Sequence, residues 1–156
     1  MAAVILIVIL IFCVSNYRNQ GLYSVAEVFD GDTISVNMAG VVEKVRLIGV
    51  DTPETKDPRK LVQCYGPEAS AFSHTQLEHA KVKLQTDPLS TNRDRYNRLL
   101  RYVYLQDGRS YNLLLLQNGF ARAYTGFPFT KSGQYTIAAN SAASAKTGLW
   151  ASCPPQ

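Results

Sequence analysis

Apolar positions follow three different rhythms along this chain. Over residues 2–14 they are unbroken (AAVILIVILIFCV), and the polar run Ser15-Asn16-Tyr17-Arg18-Asn19-Gln20 follows. Over residues 22–50 they alternate with polar ones, the period of two that puts successive side chains on opposite faces of a strand. Tyr23-Ser24-Val25-Ala26-Glu27-Val28 is one strand, Asp30-Gly31-Asp32 a turn, and Thr33-Ile34-Ser35-Val36 the next strand. Asn37-Met38-Ala39-Gly40 supplies hairpin chemistry before a third strand over 41–48. Lys56-Asp57-Pro58-Arg59-Lys60 is too polar and Pro-interrupted for a strand and reads as an exposed loop. Gly66-Pro67 then opens a helix, with Pro where no amide donor is missed. Ala69, Phe72, Leu77 and Ala80 give this helix a narrow apolar stripe as far as about residue 80. Strands over 81–86 and 99–105 follow, parted by a polar loop, and Asp107-Gly108 marks a turn. Asn112 is expected to cap a short helix over 113–118 that Gly119 stops. An Ala- and Ser-rich helix over 133–146 ends at Gly148, before Leu149-Trp150.

Three strands, a helix, two strands and two helices predict an α+β, mainly β, fold. The architecture they suggest is a five-stranded barrel of the oligonucleotide-binding (OB) type with three helices. A length of 156 residues, 46% apolar and 18% charged, allows one domain with a real core and excludes disordered, collagen-like and coiled-coil classes. That domain is expected over 21–151, with a leader over 1–20 and a tail over 152–156. The net charge of +4 permits a polyanionic partner without demanding one.

The leading apolar run is shorter than the about 20 residues that span a bilayer comfortably. It fits the apolar region of a secretory signal, with Cys13 and Ser15 as small residues before a cleavage point. No Lys or Arg precedes it and no Ala-x-Ala site follows, so a membrane tether retained through residues 2–14 stays open. The expected location is secreted or extracytoplasmic. With Cys13 set aside, Cys64 and Cys153 form an even pair that could close a long loop, a bond contributing about 2–4 kcal/mol. Two unrelated buried thiols are the alternative.

Asp32 opens the second strand and Asp51 ends the third, so in an antiparallel hairpin both reach the same rim. Close carboxylates repel unless a cation lies between them, and a hard divalent ion suits oxygen ligands. Around that rim stand Glu54, Arg46 and, from far along the chain, Arg98. Strict alternation puts Arg46 and Asp51 on opposite faces; they converge only if the strand bulges or curls between them, and Gly49 is the place for it. The segment Arg93-Asp94-Arg95-Tyr96-Asn97-Arg98 interleaves guanidinium groups with a ring, as phosphate forks and base-stacking platforms do, or is simply a solvated basic loop. Tyr124 and Phe127 are either further stacking rings or core aromatics. His74 and His79, five apart, miss the spacing that shares a helix face and read as solvated residues.

Taken in order, Asp30-Gly31-Asp32-Thr33, Arg46-Leu47-Ile48-Gly49-Val50-Asp51-Thr52-Pro53-Glu54-Thr55-Lys56, Tyr65-Gly66-Pro67-Glu68-Ala69-Ser70 and Asp94-Arg95-Tyr96-Asn97-Arg98 resemble the staphylococcal nuclease (thermonuclease) family. The resemblance implies a five-stranded OB barrel with three helices and calcium bound by Asp32, Asp51 and the Thr52 carbonyl. It further implies Glu54 as the base acting on the attacking water, and Arg46 and Arg98 gripping the scissile phosphate. Arg95 and Tyr96 match positions that touch a terminal phosphate; the aromatic pair near Tyr124 does not align with the family pattern, so Tyr124 stands as a substrate contact on its residue type alone. The sequence departs from the family pattern at Asn97, where Gly is common, and in having Cys64 and Cys153. Phosphate contacts carry no sequence information, so cleavage of both DNA and RNA with little specificity is expected, by a monomer. The rival reading is a non-catalytic OB-fold module that only binds nucleic acid.

Overall fold

The computed structural model describes residues 21–55 and 61–154. The leader, the 56–60 loop and the last two residues lie outside that range. Five strands close a barrel: β1 (Leu22–Val28), β2 (Thr33–Met38), β3 (Val41–Leu47), β5 (Lys81–Gln85) and β6 (Leu99–Tyr104), in the order β1-β2-β3-β6-β5. Every pairing is antiparallel except β3 with β6, which is parallel and sets Val45 beside Leu99 and Arg46 beside Leu100. This is the mainly-β OB-type barrel that the alternation predicts.

The β2–β3 hairpin turns on Ala39 and Gly40, both at positive φ (54° and 92°), the backbone twist that a two-residue hairpin favours. The Asn37 side chain accepts the Gly40 amide at 2.8 Å and locks the turn. Ile34, Val36, Val45, Val82 and Val103 are sealed inside the barrel. Three tyrosines, Tyr102, Tyr111 and Tyr135, extend that core toward the helices.

Helix α1 (Gly66–Leu77) lies against β1, and the Ser73 hydroxyl is 3.2 Å from the Gly31 carbonyl in the β1–β2 turn. Its Phe72 ring stacks on Phe120 at 4.3 Å between centroids. Helix α2 (Tyr111–Gln117) packs on β6 and on α3 (Ser132–Ser144). Ser110, not Asn112, caps α2, accepting the Leu113 amide at 3.3 Å. Asn112 is buried: its carbonyl accepts the Val103 amide and its amide donates to the Ile48 carbonyl, both at 2.9 Å. A short polar side chain facing the core is worth more as a clamp between β6 and the end of β3 than as a cap.

The described residues carry four helices, not three, because the chain after Gly148 winds into the single turn α4 (Leu149–Ser152). Two two-residue strands are also additions, β4 (Val50–Asp51) and β7 (Arg122–Ala123), paired with each other outside the barrel. Cys64 and Cys153 are bonded, tying the approach to α1 to the end of α4, so the ordered fold runs past residue 151. Among the described residues no helix is long and apolar enough to cross a membrane.

Candidate active site

The rim is built by a turn, not a bulge. β3 stops at Leu47, and Gly49, at φ 74°, swings the chain sideways into β4. A Cβ at Gly49 would lie 2.6 Å from the Phe129 ring and 2.9 Å from the Tyr135 ring, so only glycine fits both the space and the dihedral. The turn reverses the face on which Asp51 would otherwise emerge. Arg46 spans the result: its Nη1 donates to the Val50 carbonyl at 2.7 Å and lies 3.1 Å from Asp32 Oδ2, while Nη2 donates to Asp51 Oδ1 at 2.9 Å. Arg46, Asp32 and Asp51, expected to converge, do so.

Asp32 is 5% exposed and heavily held. Its Oδ2 accepts the Thr52 amide at 2.8 Å and the Thr52 hydroxyl at 3.1 Å, and its Oδ1 accepts the Thr33 hydroxyl at 3.1 Å. Thr52 sits directly over Gly31, where a Cβ would come within 2.5 Å of its methyl group. Residue 31 must therefore be small for residues 51–52 to dock on the β1–β2 turn.

Asp30 is a rim residue that the sequence pattern marks only as part of a turn. Its Oδ1 accepts the Asp32 amide at 3.0 Å, and burial together with the negative charge of Asp32 pushes its carboxyl up to about 6. Asp51 is raised too, by burial at the rim and then by Asp32, against the opposing pull of Arg46. The available signal was the spacing itself, two acids flanking a glycine in a tight turn.

Asp32 and Asp51 share the Arg46 guanidinium, with Asp30 held on the Asp32 amide behind them and Arg122 adding positive charge near Asp51. Among the described residues no three His, Cys, Asp or Glu side chains come close enough to enclose a metal ion by themselves. Asp32, Asp51 and the Thr52 carbonyl form an incomplete, all-oxygen donor set, the kind that hard divalent cations complete with water.

Glu54 follows two residues after the pinned Thr52. Its amide donates to Gln63 Oε1 at 2.8 Å, its carbonyl accepts the Gln63 amide at 3.0 Å, and its Oε1 accepts the Thr55 amide at 2.9 Å. The start of α1 presses on the same segment, since a Cβ at Gly66 would lie 2.6 Å from the Thr55 methyl.

Arg98 stands just before β6, two positions ahead of the Leu100 that pairs with Arg46. Its Nε and Nη2 both reach Asp94 Oδ2 at 2.7 Å. Among the described residues no hydrogen bond or ion pair joins it to Asp32, Arg46 or Asp51. Asp94 also accepts the amides of Tyr96 and Arg98, and Asn97 takes φ 64°, so residues 94–98 form a closed turn. Burial alone would raise the Asp94 carboxyl; the hydrogen bonds from Arg98 and Tyr96 override it and hold it below the ordinary value.

The Tyr96 ring is exposed, with the Arg95 and Arg98 guanidinium groups 4.8 and 5.3 Å from its centre. Tyr124 donates its amide to the Gly49 carbonyl at 2.9 Å, which fixes it beside the rim. Its ring lies 6.0 Å from that of Phe127, and both are exposed, so neither is a core aromatic. His74 pairs with Glu78 at 3.6 Å, and His79 lies beyond the end of α1; neither approaches the rim through any contact described.

Comparison with known proteins adds a family. The model described as Staphylococcal nuclease homologue matches residues 44–152, which takes in Arg46, Asp51, Thr52, Glu54 and Arg98 but begins after Asp30 and Asp32. A thermonuclease of Staphylococcus hyicus is 46% identical over 105 residues, 67% of this chain and 60% of the relative. Endonuclease YncB of Bacillus subtilis (strain 168) is 43% identical over 123 residues, 78% of this chain and 57% of the relative. The SPbeta prophage-derived endonuclease YokF of the same organism is 43% identical over 123 residues, covering 41% of the relative. The chain spans less than two thirds of the length of each of these proteins.

Proposed function

Because the chain belongs to the staphylococcal nuclease family, we propose that it is a nuclease that hydrolyses phosphodiester bonds of DNA and RNA. The proposed ion is calcium, held by the Asp32 and Asp51 carboxylates and the Thr52 carbonyl; when bound it supplies fixed positive charge beside the scissile phosphate. Glu54 accepts the proton of the attacking water. Arg46 and Arg98 receive the phosphate oxygens, whose negative charge grows as a fifth oxygen joins phosphorus. The Val50 carbonyl and the two carboxylates hold the Arg46 guanidinium in place beside the rim. Asp94 fixes Arg98 through Nε and Nη2, while Nη1 makes no hydrogen bond among the described residues and keeps donor capacity for phosphate. Arg95, Tyr96 and Tyr124 extend the surface to flanking nucleotides by charge and stacking.

The observation that carries this reading is the single guanidinium of Arg46 bridging Asp32 and Asp51 across the Gly49 turn. Paired carboxylates beside a positive fork suit a hard cation and a phosphate together, the pairing that metal-assisted phosphodiester hydrolysis uses. We also place the protein outside the cytoplasm, released or tethered through residues 2–14. The Cys64–Cys153 bond supports that location, since structural disulfides persist in oxidising compartments.

Release of acid-soluble nucleotides from single-stranded DNA and from RNA tests the proposal. Cleavage in calcium, its loss in excess chelator, and a fall of at least about 10²-fold in folded Glu54→Ala are expected. Tight binding without cleavage by the unmodified protein would make the chain a nucleic-acid-binding barrel instead.

A further inference from the structure

Gln63 is an exposed residue with no charge and no place in the proposed chemistry, yet it makes a two-point contact with the backbone of Glu54. Its side-chain Oε1 accepts the Glu54 amide at 2.8 Å, and its own amide donates to the Glu54 carbonyl at 3.0 Å. These reciprocal bonds fasten residue 54 to residue 63 and close the base of the intervening segment. The next residue is Cys64, bonded to Cys153 at the end of α4. The Gln63 carbonyl also accepts the Gly66 amide at 3.0 Å, so the clamp is continuous with the start of α1. On its other side, Glu54 is linked through Pro53 to Thr52, which is pinned to Asp32. The proposed base is therefore held between two anchors, the rim on one side and a disulfide-braced glutamine on the other.

We propose that Gln63 is a positioning residue for Glu54, and that the Cys64–Cys153 bond acts on catalysis by holding Gln63 in place. The inference rests on Glu54 being the base. A proton acceptor must meet its water within hydrogen-bonding reach, and displacement by about 1 Å can cost about 10²-fold in rate. Gln63 touches no reacting atom, so its loss acts on turnover and leaves substrate binding by the arginines intact. Because its side chain is exposed, Gln63→Ala preserves the fold.

The test compares the unmodified protein, Gln63→Ala, Gln63→Glu, the double variant Cys64→Ser/Cys153→Ser, and the triple variant combining that pair with Gln63→Ala. Each is assayed on single-stranded DNA in calcium below its unfolding transition. Gln63→Ala is expected to lower kcat by about 10- to 100-fold with KM unchanged. Gln63→Glu keeps an acceptor at the same reach and restores kcat. The double serine variant lowers kcat in the same direction, and the triple variant loses no more than Gln63→Ala alone, because both changes release the same clamp. Amide hydrogen exchange supplies a readout independent of activity: the Glu54 and Gln63 amides exchange faster in Gln63→Ala and in the double serine variant. Unchanged kcat in folded Gln63→Ala overturns the positioning role, and additive losses in the triple variant overturn the link to the disulfide. If the unmodified protein is inactive while the exchange differences appear, the nuclease reading fails and the clamp survives as a structural feature. If the amides exchange equally in all variants, the clamp itself is refuted.

Discussion

At Arg46, one guanidinium satisfies the Val50 carbonyl and two carboxylates, Asp51 beside it and Asp32 from the preceding turn. A planar fork with five donors can do this, and a lysine ammonium cannot make the same set of directed bonds. Asp87 shows the same economy on the opposite logic, since a single buried carboxylate gathers neutral donors. Its Oδ2 accepts the Tyr102 hydroxyl at 2.6 Å and both the amide and hydroxyl of Thr130, and its Oδ1 accepts the Leu89 amide at 2.8 Å. Burial would raise this carboxyl, but the donors override it and bring it down to about 2. A carboxyl depressed on folding contributes stability that is complete above its unfolded value of about 4 and is lost as pH falls toward about 2. The contribution at neutral pH is about 2 kcal/mol. Urea unfolding from pH 7 to pH 2 should therefore show Asp87→Asn destabilised at neutral pH, with the gap closing at the acid end. A gap that stays constant over this range would remove Asp87 from the acid sensitivity.

The Gly49 turn is the element on which the rim depends, since it ends β3 and releases Asp51 toward Arg46. Gly49→Ala forces a positive φ on a residue that carries a Cβ and drives that methyl into Phe129 and Tyr135. A cost of about 2–4 kcal/mol is expected, read by denaturant unfolding, together with weaker calcium binding by calorimetry. Wild-type calcium affinity in this variant would show that the turn does not place the ligands. Much of this was legible beforehand. Alternation marks the first three barrel strands, apolar runs between turn signals mark the other two, and the conflict between period-two facing and the needed meeting of Arg46 with Asp51 points to Gly49. The two-residue strands β4 and β7 were not legible, because two residues carry no periodicity and their pairing comes from chain far away. Asn112 looked like a cap because Asn often is one; its burial is decided by β6 and β3 together, which local sequence does not record. Gln63 and the Arg98–Asp94 bond are contacts of the same kind. Arg98 rests its guanidinium on the carboxylate four residues earlier, just ahead of the strand that pairs with Arg46.

Across the whole molecule, the barrel supplies a rigid frame and the site is assembled where its ends meet the turns that leave it. The parallel β3–β6 pair matters most, because it brings residues from the first and second halves of the chain alongside one another. In the proposed function, phosphate contacts from Arg46, Arg95 and Arg98 would bind a strand by displacing its counterions. Three phosphate contacts on single-stranded DNA correspond to a slope of about −2 in log affinity against log salt. Fluorescence anisotropy with Glu54→Gln, which slows cleavage, should give that slope; a flat line would exclude phosphate contacts as the source of binding. The account as a whole stands on one arrangement, in which ion, water and phosphate meet between Asp32, Asp51, Arg46 and Arg98. A crystal structure of Glu54→Gln soaked with calcium and a short single-stranded oligonucleotide tests it directly. The ion should lie on the Asp32 and Asp51 carboxylates and the Thr52 carbonyl, with phosphate oxygens on the guanidinium groups of Arg46 and Arg98. An ion bound elsewhere, or Arg98 still engaged with Asp94 alone while phosphate sits apart from it, would contradict the account.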